Sequence, residues 1–364
     1  MRFRKELEKI KTYEAGKPIE LIARDYGVAE NEIIKLASNE NPFGASPKVV
    51  AKVASLASRI SRYPDDSYFV LKKALAERFT VESKNVIIGS GSDQIFEFIS
   101  HALIDRGDLV LQNKITFAMY AIYTAQAGGE TIVTDSDRHD LKAFEAHLDK
   151  KPKIVYLCTP SNPYGDALFS EDIFEFLKKV DPQTLVVIDA AYMEYAAFKD
   201  PRKYIDPKEL IDKFPNAIYT GTFSKAYGLG GMRVGYGIGE ESLIKELHKL
   251  RAPFNITTLS LAAATIALED REFVKKSVEH NFKEMKRYEK FAVQNGLKYE
   301  PSYTNFIALF FDQNESASDI ANALLKQGMI VRDLKSYGLN ALRVTIGLAA
   351  ENDRFFELFQ ELRR

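Results

Sequence analysis
Short apolar runs rich in β-branched residues alternate with amphipathic stretches through the middle of this chain. "NVIIG" (85–89) reads as a strand. "SDQIFEFISHALI" (92–104) follows with helical spacing, and Ser92 or Asp93 stands where a helix cap belongs. The alternation continues with a strand at 108–112, a helix near 117–127, a strand at 130–134 and a helix near 140–149. Strand 153–159, a helix near 170–179, strand 184–189 and strand 216–222 close the series. Continuous apolar strands separated by helices predict a mostly parallel sheet covered on both faces, an α/β fold. Ligands of such sheets bind at the carboxyl ends of the strands, so the residues just after each strand carry the most information.

Past residue 255 the pattern changes. Helical spacing dominates 257–294, followed by a strand at 305–311, a helix at 316–327, strands at 328–333 and 341–347, and a last helix. This predicts a smaller α+β domain. The expected organisation is an N-terminal arm (1–45) that has no sheet of its own and forms part of the small domain, a large domain (46–255) and a small C-terminal domain (256–364).

Composition narrows the partners. The chain has 364 residues, 46% hydrophobic and 28% charged, with a formal net charge of −1, so its overall field favours neither nucleic acid nor an anionic membrane. The single cysteine, Cys158, excludes an intrachain disulfide and points to a reducing compartment. "MRFRKELEKI" lacks the apolar core of a secretory signal, and no apolar run nears the roughly 20 residues that span a bilayer. A cytoplasmic protein is expected. The five histidines show no HExxH spacing, and the lone cysteine has no partner, so no metal site is expected.

The chemistry lies at the strand ends. "IIGSGSDQ" places glycines and the start of a helix directly after a strand, an arrangement that offers backbone amides and a partial positive charge to a phosphate. It is not a dinucleotide fingerprint, because Gln94 stands where the third glycine belongs. Alone, it reads equally as a tight turn. "LCTPSNPYG" puts Asn162 after a strand, in what is also an ordinary Ser-Asn-Pro-Gly turn. "VVIDAAYMEY" ends a buried strand on Asp189, costly to ionise there unless it caps a helix or meets a cation, with Tyr192 three residues on. "GTFSKAYGLGGMRVGY" (221–236) holds Lys225 with no acid in the stretch, bracketed by Thr222, Ser224 and Arg233. A lysine amine forms a Schiff base with an aldehyde. A phosphate cup, an aspartate for a pyridinium nitrogen and such a lysine are what proteins contribute to pyridoxal phosphate chemistry.

These segments, together with "KLASNENPFGASPK" (35–48), "RYPD" (62–65), "GMIVRD" (328–333) and "LRVTIG" (342–347), fall in an order that resembles the fold-type I, pyridoxal-phosphate-dependent class II aminotransferases over nearly the whole chain. "SNENPFG" and "GMIVRD…LRVTIG" resemble the histidinol-phosphate branch of that group. The resemblance implies pyridoxal 5'-phosphate held as an internal aldimine on Lys225, which also shuttles the proton. It implies Asp189 on the pyridinium nitrogen, with Tyr192 and Asn162 on the ring's phenolic oxygen. The phosphate would meet the amides of Ser92 and Asp93, the hydroxyls of Thr222 and Ser224, and Arg233. Tyr63 would reach that phosphate from the other subunit of a homodimer. Arg343 would bind the substrate's anionic end, beside Asn162, with Arg332 and Tyr13 near the substrate phosphate. One departure is that "NKITFAMY" lacks the family's prolines and puts Phe117, rather than a tyrosine, where a ring should stack on the cofactor. The implied reaction exchanges an amino group between histidinol phosphate and 2-oxoglutarate by a ping-pong sequence. An aromatic amino-acid aminotransferase and a phosphothreonine decarboxylase are the neighbouring readings.

Overall fold
The computed structural model describes residues 1–10 and 19–363. Twelve strands are present among them: β1 (Ile34–Leu36), β2 (Val86–Gly89), β3 (Leu109–Gln112), β4 (Glu130–Val133), β5 (Ile154–Cys158), β6 (Leu185–Asp189), β7 (Ala217–Thr222), β8 (Gly235–Gly239), β9 (Lys298–Tyr299), β10 (Phe306–Phe310), β11 (Met329–Asp333) and β12 (Ala341–Thr345). Seven form one sheet in the order β2-β8-β7-β6-β5-β3-β4. The pairs from β7 through β4 are parallel, and β8 runs antiparallel to both its neighbours. β5, β6 and β7 are buried along their whole length, as their unbroken apolar sequences require when helices cover both faces. A second sheet, β1-β11-β12-β10-β9, is antiparallel except that β1 pairs parallel to β11.

β8 is the one strand of the large sheet that the sequence pattern does not predict. "GYGIG" reads as a continuation of the glycine run before it, yet its glycines are there for packing. A side chain on Gly237 would crowd Ile87, Ile218 and Ile95, and one on Gly235 would strike the Gly91 backbone and the Ser92 amide nitrogen. The strand thus lets helix Ser92–Leu103 settle directly on the sheet. Gly235→Ala is expected to destabilise the fold by about 1–3 kcal/mol through overpacking. A lower urea midpoint at unchanged slope would report it.

Helix Thr258–Glu269 falls on the other side of the expected boundary at residue 255. Ala263, Ala264, Ala267 and Leu268 join Val49, Leu71 and Leu75 in the core of the large sheet. Its alanine-rich sequence predicts a helix but not which core that helix meets, so only the packing reveals its side. The following helix, Arg271–Gln294, reaches from Val278, packed beside Tyr192, to Met285 and Tyr288 in the core of the smaller sheet. Among the described residues no helix is long and apolar enough to cross a membrane.

Candidate active site
The carboxyl ends of β5, β6 and β7 lie side by side. Cys158 is in register with Asp189, Asp189 with Thr220, and Thr222 with Gly235 of β8. Above them opens a cavity of about 190 Å³ lined by both sheets' connections. Lys225, Asp189, Tyr192, Asn162, Ser92, Asp93, Thr222, Ser224, Arg233, Phe117, Arg332 and Arg343 all face it. Tyr13 lies outside the described residues. Tyr63, expected to reach the phosphate of the other subunit, is not among the residues lining this chain's cavity. Tyr63 is 82% exposed and stacks on Phe254 at 4.6 Å between ring centroids.

Lys225 sits at the centre. Its Nζ donates to the Ser38 carbonyl at 3.1 Å and lies 5.9 Å from the centre of the Tyr192 ring. Burial, with Arg343 and Arg233 adding positive charge, pushes its amine down to about 8. A lysine so placed is deprotonated far more readily than a surface lysine, which makes it a competent nucleophile and base near neutral pH.

Asp189 is 4% exposed at the end of β6. Burial pushes its carboxyl up to about 6, against the Tyr120 hydroxyl and the Ala191 amide, which both donate to it. A buried carboxyl thus faces the cavity, where a cation would offset the cost of ionising it. The Tyr192 hydroxyl accepts from Asn39 Nδ2 at 2.8 Å, and Asn162 Oδ1 accepts from Arg343 Nη1 at 2.6 Å. Arg343 also donates to the Ala37 carbonyl at 2.8 Å. The eleven-residue separation of Arg332 and Arg343 becomes direct opposition, because the two are Cα partners across β11 and β12.

At the other end, helix Ser92–Leu103 begins without a capping side chain. The residue before it is Gly91 at φ 78°, not the expected Ser92 or Asp93, which are its first two residues. The leading amides are therefore left to the cavity, next to Arg233, whose Nη1 donates to Ser224 Oγ at 3.3 Å. Thr222 Oγ1 donates to Ser224 Oγ at 3.1 Å. Asp93 turns Oδ1 inward with no hydrogen-bond partner among the described residues, and burial raises its pKa. Uncapped amides, two hydroxyls and a guanidinium form a donor set suited to a phosphate. Four cations, Lys225, Arg233, Arg332 and Arg343, line the cavity against two carboxylates, Asp93 and Asp189.

Three residues join the site without having been predicted. Tyr120 donates to Asp189 while its ring stacks on Tyr156 at 4.3 Å and meets the edge of Phe117 at 5.6 Å. Asn39 holds Tyr192 from a left-handed backbone at φ 55°, a conformation asparagine tolerates. Its amide donates to Thr345 Oγ1 at 3.0 Å, and its carbonyl accepts from Asn305 Nδ2 at 2.9 Å. Tyr337 reaches the cavity from the turn between β11 and β12. None of the three announces its role in the sequence: Asn39 is one polar residue among several in its segment, and the tyrosines look like core residues until the fold brings them to the site.

The model of the class I and II aminotransferases matches residues 31–358. The histidinol-phosphate aminotransferase of Sulfurimonas denitrificans is 58% identical over 359 residues, covering 98% of this chain and 99% of that one. That of Aliarcobacter butzleri is 55% identical over 363 residues, covering 100% and 99%. Among solved structures, the histidinol-phosphate aminotransferase of Sinorhizobium meliloti in complex with pyridoxal-5'-phosphate matches with a TM-score of 0.89 and 28% identity, covering 99% of this chain and 98% of that one. The chain belongs to the class I and II aminotransferases and, within them, to the histidinol-phosphate aminotransferase family.

Proposed function
We propose that this protein transfers an amino group between histidinol phosphate and 2-oxoglutarate, with pyridoxal 5'-phosphate in the cavity described above. The observation that carries the reading is that Lys225 shares one cavity with a buried, cation-seeking Asp189 and with Arg332 and Arg343, which pair across β11 and β12. When bound, pyridoxal phosphate supplies an aldehyde for the amine and an electron-withdrawing ring. Asp189 would pair with the ring nitrogen, Tyr192 and Asn162 would donate to its phenolic oxygen, and Phe117 would pack on the ring face. Thr222, Ser224, Arg233 and the amides of Ser92 and Asp93 would hold the phosphate.

Lys225 does the proton work. Its Nζ, freed when the substrate amine takes its place on the cofactor, would take the proton from the substrate carbon that bears the amine and return it to the carbon of the former aldehyde. Arg343 and Arg332 meet the substrate's anionic end. Histidinol phosphate brings a phosphate there, and glutamate a carboxylate. Guanidinium forks bind both anions bidentately, so the pair serves both half-reactions. Arg332→Gln is expected to raise KM for histidinol phosphate about tenfold or more, the worth of a charge-assisted hydrogen bond, and to raise KM for glutamate less. Equal effects on both substrates would refute this role.

Support for a homodimer comes from one short segment. Ile60, Tyr63, Phe69 and Val70 expose 72%, 82%, 65% and 61% of their surface, an apolar face that a second copy would cover while bringing its own Tyr63 toward the phosphate. The decisive test of the reaction is a single-turnover experiment without oxo acid. Histidinol phosphate should discharge the visible absorbance of the loaded protein faster than phenylalanine does. The reverse order would make it an aromatic amino-acid aminotransferase.

A further inference from the structure
Gln94 breaks the dinucleotide pattern in the sequence, and in the structure it does something specific. Its Oε1 accepts two hydrogen bonds, from the Ser90 amide at 2.9 Å and from Asn255 Nδ2 at 2.6 Å. The first folds the Gly89–Ser90–Gly91 turn back on itself, satisfying the Ser90 N–H internally. The amides of Ser92 and Asp93, at the uncapped helix start, are then the ones left for a ligand. The second bond leads away from the cavity. Asn255 Oδ1 accepts from Arg251 Nη1 at 3.3 Å and from the Tyr68 hydroxyl. Arg251 grips both carboxylate oxygens of Asp66, at 2.6 and 2.8 Å. Asp66 also accepts the Phe254 amide at 2.6 Å, and the Phe254 ring carries Tyr63. The Arg251 guanidinium, with the Phe254 amide, holds Asp66 down to about 2, so the clamp stays ionised at any working pH.

We infer that Gln94 is a positioning residue for the phosphate-binding amides, and that the relay Gln94–Asn255–Arg251–Asp66 couples those amides to the exposed Tyr63 face. The inference rests on the proposed phosphate site at helix Ser92–Leu103. It makes two demands that a purely structural glutamine would not meet. The effect of removing Gln94 must depend on the ligand's phosphate. The effect of cutting the relay at its far end must be felt at the same site.

The experiment measures the affinity of cofactor-free protein for pyridoxal 5'-phosphate and for pyridoxal, which lacks the phosphate, with thermal melting of each variant alongside. Gln94→Leu is expected to weaken pyridoxal 5'-phosphate about tenfold and pyridoxal less than about threefold, the span of one or two lost hydrogen bonds. Gln94→Glu keeps both acceptor bonds but adds a negative charge beside the phosphate, so it should weaken pyridoxal 5'-phosphate while pyridoxal stays within about threefold of wild type. Asp66→Asn, which leaves the helix start untouched, should weaken pyridoxal 5'-phosphate about threefold. It should add little in the Gln94→Leu background, because the two act through one network. Equal losses for the two ligands in Gln94→Leu, or no loss, would overturn the positioning role. Unchanged affinity in Asp66→Asn would overturn the relay. If Gln94→Leu fails to fold, Gln94→Met, which also lacks the acceptor, takes its place under the same criteria, and Asp66→Asn decides the relay. Wild-type protein that binds neither ligand would overturn the proposed function and this inference with it, whereas wild-type binding with unchanged variants overturns the inference alone.

Discussion

Lys225→Ala is expected to leave less than about 1/10,000 of the wild-type turnover, the upper range for loss of a positioned acid-base group. Among the described residues, Lys225 is the only lysine lining the cavity, so no second amine stands ready to take over. Its substitution also removes the group to which the cofactor would attach, so gel filtration should strip the ligand from the variant and not from the wild type. The fold should survive. The variant gives up one hydrogen bond, to the Ser38 carbonyl, and also loses a buried amine whose charged form burial disfavours, so it should melt no lower than the wild type by more than a few degrees. A pH series gives an independent reading. Because the folded amine titrates near 8, the wild-type rate of capture of an aldehyde should rise through that pH and level off above it, where the neutral nucleophile predominates. In Lys225→Ala this rise should be absent. Full activity in the variant would end the reading of the site.

The large sheet and most of the cavity wall were legible in the sequence, and the reason is physical. β5, β6 and β7 are buried on both faces, so each announces itself as a largely apolar run. The polar residue that closes the strand, Asp189 after "VVI" or Thr222 after "IYTG", marks the carboxyl end where ligands bind. Chemistry confined to these ends can be read by position alone. β8 escaped because its alternate glycines serve close packing against a helix and imitate a loop. Helix Thr258–Glu269 was placed past the boundary because a domain's edge depends on which core an alanine-rich face meets. Tyr120 and Asn39 stayed hidden for a related reason. Their roles are contacts with Asp189 and Tyr192, 69 and 153 residues away in the chain, and no spacing rule reaches so far. The opposition of Arg332 and Arg343 was half legible. Their strands were visible, while the register that sets the guanidinium-bearing residues across from each other belongs to the sheet.

Asp189→Asn should cost roughly a hundred- to several-thousand-fold in turnover, the rate equivalent of about 3–5 kcal/mol for breaking a buried charge pair. The wild-type carboxyl accepts at both oxygens, from Tyr120 and from Ala191. An asparagine keeps one of these acceptors and turns an amine toward the other donor, while the negative charge is lost. The cofactor-free variant should melt at the same or a higher temperature, since a buried carboxylate has been removed. The sign of the pH dependence follows from the raised carboxyl. Above about 6 Asp189 is ionised and attracts a cationic ring nitrogen; as pH falls through 6 it takes up a proton and the attraction fades. Wild-type affinity for pyridoxal 5'-phosphate should therefore tighten from pH 5 to 8 more than that of Asp189→Asn. The ligand's own phosphate also titrates near 6 and contributes equally to both proteins, so the difference between the two profiles isolates Asp189. Tyr120→Phe removes the hydroxyl that favours the ionised carboxyl, and should move that difference to higher pH while leaving the aspartate in place. Parallel profiles for wild type and Asp189→Asn would mean that the carboxylate does not meet the ring nitrogen, whatever the loss in rate.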